Sequence, residues 1–315
     1  FKKISYEFGK HSNKCMDCDL IIISPGIDKK NNTIKNLTKH KRLISEIEFA
    51  SWFTSSPIIG ITGSNGKSTT VKMLESIFKS KYKNTLLGGN IGIPFSNNVL
   101  LENKKNLKNS IHILELSSFQ LEHTLGLKPK IACLLNLSQD HLDRHTDEKE
   151  YIQAKLNIIK NIDKSSYFVF NEKITSKISL DKILTNKIIF GSSNSKYLID
   201  RTNKLIINKK NNKIILDCKK IKLTGIHNYE NILACYEIAS LFGINDKVIS
   251  NRISNFLPLE HRMEKMESYN DILFINDSKA TNIESTIFAI NSSKKNTNII
   301  LGGYSKGEVN YKYYL

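Results

Sequence analysis

The segment with the plainest chemistry is Gly63-Ser64-Asn65-Gly66-Lys67-Ser68-Thr69, set between the apolar run 58–61 and a stretch with helical spacing. A glycine-rich turn that opens a helix points its backbone N–H groups at one place. Phosphate oxygens sit there, Lys67 would neutralise them, and Ser68 would ligate magnesium. The strict pattern asks for glycine at position 61, where this chain has isoleucine, so the loop is a variant and ATP is its expected ligand. Glu115 closes another apolar run, 111–114, and a hard carboxylate there suits an oxygen-preferring cation. Asn228 and Asn231 stand three apart on one helix face, so both amides can reach one nucleotide; Asn228 could equally cap the helix. His141 and Lys155 carry little alone: an isolated histidine is usually hydrogen-bonded or exposed, and a lysine on an amphipathic helix is usually a solvated charge. Asp140, Asp143, Arg144 and His145 read as a charged loop outside the site.

These residues need a frame. Residues 58–61 predict a strand and 67–81 a helix, which makes a strand, phosphate loop and helix in succession. Upstream, 19–23 predicts a buried strand closed by Ser24-Pro25-Gly26, followed by a helix over 44–53. The runs 111–114 and 131–135 each end in polar residues. In open parallel sheets ligands bind at the carboxyl ends of strands, so this is where a nucleotide enzyme should carry its chemistry. A helix is predicted over 148–162, then short strands at 167–170, 187–190, 204–207 and 213–216, the last two as a hairpin across an asparagine-rich turn. A helix over 227–242 returns to the core. Pro258 marks a linker, beyond which 272–275 and 298–301 predict strands of a further unit. The class is α/β.

With 315 residues, 40% hydrophobic and 24% charged, the chain has material for two or three packed domains. No run approaches the roughly 18 apolar residues of a membrane span, and the opening lacks the apolar core of a signal peptide. A cytoplasmic home is expected, with no membrane partner. Five cysteines, an odd number scattered along the chain, fit reduced thiols; Cys15 and Cys18 form a C-x-x-C that no second pair or nearby histidine completes. The net charge of +17 would favour a polyanion, but lysine is spread everywhere, including the turn Lys209-Lys210-Asn211-Asn212-Lys213, without interleaved aromatics. Nucleic acid is therefore not an expected partner. The chain opens on Phe1 and ends on Leu315 shortly after a unit begins, so a partial gene is expected.

The phosphate loop Thr62-Gly-Ser-Asn-Gly-Lys-Ser-Thr69 resembles that of the Mur ligase family, and further segments follow in the family's order. They are Gly88-Gly-Asn-Ile-Gly-Ile-Pro94, Glu115-Leu-Ser-Ser-Phe-Gln-Leu121, Asn136 with Asp140-His-Leu-Asp-Arg144, Ala154-Lys-Leu156, His227-Asn-Tyr-Glu-Asn231, His261-Arg-Met-Glu264, Asn276-Asp-Ser-Lys-Ala-Thr-Asn282, and Gly302-Gly303 with Lys306. The match runs from about Asp19 to Lys306. Within the family, the combination is similar to the D-glutamate-adding members.

The resemblance implies three domains: the remainder of a UDP-substrate domain over 1–56, a central phosphate-loop, parallel-sheet ATPase over 57–258, and the start of an amino-acid-binding domain over 259–315. The outer two would be Rossmann-like and truncated, so that this fragment is expected to be poorly active. The implied reaction is phosphoryl transfer from ATP to the carboxylate of UDP-N-acetylmuramoyl-L-alanine, giving an acyl phosphate that D-glutamate attacks. Such chemistry needs dense positive charge and two magnesium ions. Carried over residue by residue, Lys67, Glu115, His141 and Lys155 are the catalytic group, and Ser68, Glu115, His141 and Lys155 the metal ligands, Lys155 as a carbamate. ATP would meet 63–69, Asn228, Asn231, Arg262 and Asp277. Lys279, Thr281 and Lys306 would hold D-glutamate, and Gly26, Asn90, Ser117 and His141 would lie along the UDP-sugar substrate. A monomer is implied. The rival readings are a folylpolyglutamate-synthase-like ligase and a non-catalytic nucleotide- or nucleic-acid-binding protein.

Overall fold

A computed structural model describes residues 4–9, 12, 14, 17–27, 32–40, 42–141, 143–181, 183–223, 225–293 and 296–303. Cys15 and Lys306 lie outside the described residues. The chain begins with β1 (Leu20–Ile23), α1 (Asn32–His40) and β2 (Arg42–Ser45), the two strands pairing in parallel with Ile22 opposite Ile44. Ile23, Ile34, Leu37 and Leu43 make a small core of their own. Part of the helix expected over 44–53 is thus strand, because Leu43 and Ile44 pair beside β1. Ser45 then starts α2 (Glu46–Ser51), its Oγ accepting the Glu48 N–H at 3.2 Å.

The middle of the chain forms β3 (Ile58–Thr62), α3 (Lys67–Phe78), β4 (Asn84–Gly89), α4 (Phe95–Lys104), β5 (Ser110–Glu115), α5 (Ser118–Glu122), β6 (Ile131–Leu134), α6 (Glu148–Leu156), β7 (Tyr167–Asn171) and β8 (Asn186–Phe190). Six of these are strands of one sheet in the order β4-β5-β3-β6-β7-β8, and every pairing is parallel. β3, β5 and β6 are buried throughout, as continuous apolar runs covered on both faces should be. Side chains alternate along each strand, so Ile59 and Ile61 join α3 in one core while Ile58 faces α2 and α4 in the other. The chain leaves β3 toward β4 and β5 on one side, and continues through β6 to β8 on the other. Loops at the carboxyl end of β3 therefore diverge and leave a crevice.

A three-stranded antiparallel sheet follows, β9 (Tyr197–Asp200), β10 (Leu205–Asn208) and β11 (Lys213–Asp217), with β10 central; β10 and β11 are the expected hairpin. Helices α7 (Ile226–Leu241) and α8 (Asp246–Ser254) lie against the first core. The last unit departs from expectation. β12 (Glu264–Lys265) pairs with β13 (Ile275–Asn276), helix α9 (Ile283–Ser292) follows, and 298–301 is not a strand. Strand propensity needs a partner to act on, and none stands beside 298–301 among the described residues. No α9 residue is buried, and among the described residues no sheet covers its apolar face.

Helix α2 is fastened to the sheet unit. The Glu48 carboxylate, fully buried, accepts the Leu125, Gly126 and Leu127 N–H groups at 3.0, 2.9 and 2.8 Å and the Trp52 indole N–H at 2.8 Å. Ser45 N–H donates to His123 O at 2.8 Å. A charge this deep is tolerated because each oxygen has donors.

Candidate active site

β3 delivers the chain to the phosphate loop, and Gly66, at φ +84°, turns it into α3 with no side chain capping the helix. The first N–H groups of α3 are thus left for an anion, and the helix dipole favours one. A Cβ at Gly66 would lie 2.8 Å from Asn231 Nδ2 and closer still to its Oδ1, so the loop and α7 meet with no room for a side chain.

The loop is braced from β6. Asn65 N–H donates to Asn136 Oδ1 at 2.8 Å, Asn136 Nδ2 returns a bond to Asn65 O at 3.0 Å, and Ser64 N–H donates to Asn136 O at 3.2 Å. Ser64 Oγ donates to Ser138 O at 2.9 Å, accepts the Ser138 N–H at 3.0 Å, and meets the Tyr151 hydroxyl at 2.9 Å. Lys67 folds over the loop, its Nζ donating to Gly63 O at 2.8 Å and Ser64 O at 2.9 Å.

Lys155 is not a solvated charge. It is 2% exposed, and its Nζ donates to Gly63 O at 2.9 Å, on the carbonyl that also receives Lys67. Burial first, and the charge of Lys67 second, push its ammonium well below the ordinary lysine range, against the opposing pull of Asp140 and Glu115. Glu115 ends β5 beside β3, Ile61 opposite. Its Oε1 accepts Asn90 Nδ2 at 2.9 Å and its carbonyl the Asn90 N–H at 2.8 Å, while its buried Oε2 has no hydrogen-bond partner. A buried carboxylate oxygen without a donor is costly unless a cation meets it, so the residues here fit a magnesium ion.

The other expected residues fall around this centre unevenly. His141, in the left-handed region at φ +57°, packs edge-on against Phe119 with its Nε2 3.6 Å from Asp140 Oδ2. Ser117 caps α5 in a capping box with Gln120, so its hydroxyl already has structural work. Gly26 is exposed in the turn after β1, and the Arg144 guanidinium spans to the carbonyls beside it, Pro25 O at 3.3 Å and Ile27 O at 3.1 Å. Asn231, 3% exposed, bonds to Asn228 Oδ1 at 3.4 Å. Asp277 accepts the Met263 N–H at 2.9 Å; burial raises its carboxyl above the ordinary range while Arg262 opposes the rise. Arg262 also depresses His227, after burial, to about 4, which places the guanidinium by the start of α7. Lys279 and Thr281 are exposed.

Several contacts at the centre went unread in the sequence. The Asn65 amide reaches the last unit, donating to Glu284 Oε2 at 2.8 Å and accepting Asn282 Nδ2 at 2.9 Å. His145, set aside with its charged neighbours, is 1% exposed, stacked on Phe119, with Nε2 3.0 Å from Ser118 Oγ and Nδ1 3.3 Å from Glu122 Oε1. That order imitates a serine–histidine–carboxylate triad, but Ser118 is 2% exposed, so the chain of bonds is a brace and not a nucleophile. Only spacing could have pointed to Tyr151, one helical turn before Lys155.

A phosphate loop at the crevice of a parallel sheet, with a lysine over it and a buried acid at the neighbouring strand end, defines a nucleotide-dependent α/β enzyme. The family model "Mur ligase middle domain" matches residues 61–239, and "MurD N-terminal domain" matches 1–33. Among curated relatives, the UDP-N-acetylmuramoylalanine--D-glutamate ligase of Christiangramia forsetii is 36% identical over 98% of this chain and 70% of its own length. That of Buchnera aphidicola subsp. Baizongia pistaciae is 41% identical over 97% and 68%. The chain therefore spans a little over two thirds of these relatives. Among solved structures, MurF from Acinetobacter baumannii superposes with a TM-score of 0.61 at 19% identity, covering 78% of this chain and 56% of that one. MurF from Thermotoga maritima in complex with ADP gives 0.57 at 15%, covering 86% and 70%; both speak to the fold alone. The chain belongs to the Mur ligase family of ATP-dependent ligases, in the branch of the UDP-N-acetylmuramoylalanine--D-glutamate ligases.

Proposed function

We propose that this site joins D-glutamate to UDP-N-acetylmuramoyl-L-alanine at the expense of ATP, through an acyl phosphate. The observation that carries the reading is the convergence of the phosphate loop, the orphaned Oε2 of Glu115 and the buried Lys155 amine on one crevice. Residues 63–69 would seat the ATP phosphates, with Lys67 turning from the Gly63 and Ser64 carbonyls to the phosphate oxygens. Asn228, Asn231, Arg262 and Asp277 would hold the rest of the nucleotide. Ser68, Glu115, His141 and Lys155 would hold magnesium, which supplies charge neutralisation at the transferred phosphoryl group. A lysine can serve there only as a carbamate. The depressed ammonium favours that, since a neutral amine forms the N–C bond with carbon dioxide and releases one proton. Asn90, Gly26 and Ser117 would line the UDP-sugar substrate, and Lys279, Thr281 and Lys306 would pair with the D-glutamate carboxylates.

A cytoplasmic setting, a monomeric state, two magnesium ions, no nucleic-acid or membrane partner, and a division of the chain near residues 56 and 258 belong to the same proposal. No helix among the described residues is long and apolar enough to cross a membrane. The test is ADP release by this chain, alone and extended to the length of its relatives, with the two substrates offered singly and together. Release that requires both supports the reading; release with a folate and L-glutamate, or with no acceptor, sinks it.

A further inference from the structure

Tyr151 touches both halves of the catalytic crevice, and no role in the reaction has yet been given to it. It lies on α6, four residues before Lys155, and is 1% exposed. Its hydroxyl is 2.9 Å from Ser64 Oγ. Ser64 has one proton, which goes to Ser138 O, and it already accepts the Ser138 N–H, so the remaining bond has Tyr151 as donor. The ring does a second job. Lys155 Nζ stands 4.6 Å from the ring centroid, and the His145 imidazole meets that ring edge-on at 5.4 Å, fixed in turn by Glu122 and Ser118.

We infer that Tyr151 is a positioning residue with two separable parts, the hydroxyl holding Ser64 and so the phosphate loop, and the ring holding the Lys155 amine against Gly63. One side chain thus adds a contact to each, beside the bonds that Asn136 and Ser138 already give the loop and Gly63 O gives the lysine. The inference rests on the reading that the loop binds ATP and that Lys155 serves the reaction. Its consequences are nevertheless read without turnover.

Tyr151→Phe keeps the ring and removes the bond to Ser64; Tyr151→Leu removes both. ATP binding, followed by calorimetry with magnesium present, should weaken about three- to tenfold in Tyr151→Phe, the worth of one hydrogen bond. Labelling of Lys155 by reductive methylation in carbon-dioxide-free buffer, read by peptide mass, should stay at the parent rate in Tyr151→Phe and rise several-fold in Tyr151→Leu. Parent-like ATP binding in Tyr151→Phe overturns the hydroxyl's role. Equal labelling in the two variants, or faster labelling in Tyr151→Phe, overturns the ring's. Should Tyr151→Leu fail to fold, Tyr151→Met, which also lacks the ring, takes its place in the labelling comparison, and ATP binding in Tyr151→Phe still decides the hydroxyl's role. If the parent itself binds no ATP, the proposed function falls, while the labelling arm still tests the contact with Lys155.

Discussion

Gly66→Ala separates two costs that the loop has avoided by using glycine. At φ +84° an alanine pays roughly 1–2 kcal/mol for the left-handed backbone. Its Cβ also runs into the Asn231 amide, 2.8 Å from Nδ2 and nearer to Oδ1, so a buried side chain must move and surrender its bond to Asn228. That adds about 1–2 kcal/mol, the worth of a hydrogen bond and its packing, for a total of roughly 2–4 kcal/mol. Only the second cost depends on Asn231. Adding Asn231→Ala to Gly66→Ala should therefore cost nothing further, since the bond to Asn228 is already surrendered, although Asn231→Ala alone destabilises by about 1–2 kcal/mol. The assay is a double-mutant cycle by urea unfolding, with ATP binding measured beside it. Affinity should fall about tenfold or more in both variants carrying Gly66→Ala, since the helix start is displaced. A coupling energy within about 0.3 kcal/mol of zero would refute the steric argument, because independent sites add to within that margin.

Further outcomes follow from buried charge. Glu48→Gln should cost on the order of 4 kcal/mol, since the amide nitrogen cannot accept from the Leu125–Leu127 N–H groups, and the melting temperature should drop roughly 8–15 °C; a shift under about 2 °C contradicts this. Glu237, 3% exposed, has its carboxyl raised by burial to about 7. The raised acid favours the fold below its unfolded value of 4.5 and loses that contribution as pH climbs through about 7, so Glu237→Gln should match the parent at pH 5 and exceed it by roughly 2–3 kcal/mol at pH 8. Parallel pH profiles for the two would count against it. Glu284→Ala should speed hydrogen exchange in α9 because it releases the Asn65 amide, and Asn282→Ala should do so further because it also removes the N-cap that accepts the Ser285 N–H; unchanged protection in Glu284→Ala would show the contact to be idle. Lys155→Ala should lose turnover and regain part of it with added short-chain carboxylic acids, and full activity without rescue removes it from the mechanism.

The frame was legible because its signals are local. The run before Gly63, the glycine turn and the helical spacing after it yield β3, the loop and α3 with little outside help. Runs 111–114 and 131–135 became β5 and β6 for the same reason, whereas their pairing with β3 is long-range. What failed depends on partners. Residues 42–45 pair with a strand some twenty positions earlier, and 298–301 has no partner strand among the described residues, so in each case pairing overrode the reading by segment. The site divides similarly. Phosphate-loop residues announce themselves by spacing, but Lys155 on its helix looks like any solvated lysine until the fold closes over it. His145 and Tyr151 owe their importance to contacts across 27 and 87 positions, which no window of sequence displays.

The crevice also has an internal charge logic. Lys67 and Lys155 both end on Gly63 O, at 2.8 and 2.9 Å. Two ammonium groups on one carbonyl repel strongly where water is excluded, and the cost falls on the lysine with no route to solvent. Glu115 and Asp140 pull the other way but do not prevail, since burial is the largest influence on Lys155. The outcome is a buried amine biased toward its neutral form, directly behind a phosphate loop and near an unpaired carboxylate oxygen. A neutral amine cannot offset that carboxylate. Glu115 Oε2 thus gains no ammonium donor from Lys155, and the half-buried Lys67 spends its donors on the Gly63 and Ser64 carbonyls. Binding of ATP with magnesium would satisfy both at once. On the reading proposed above, that linkage would couple the binding of the nucleotide to that of the metal.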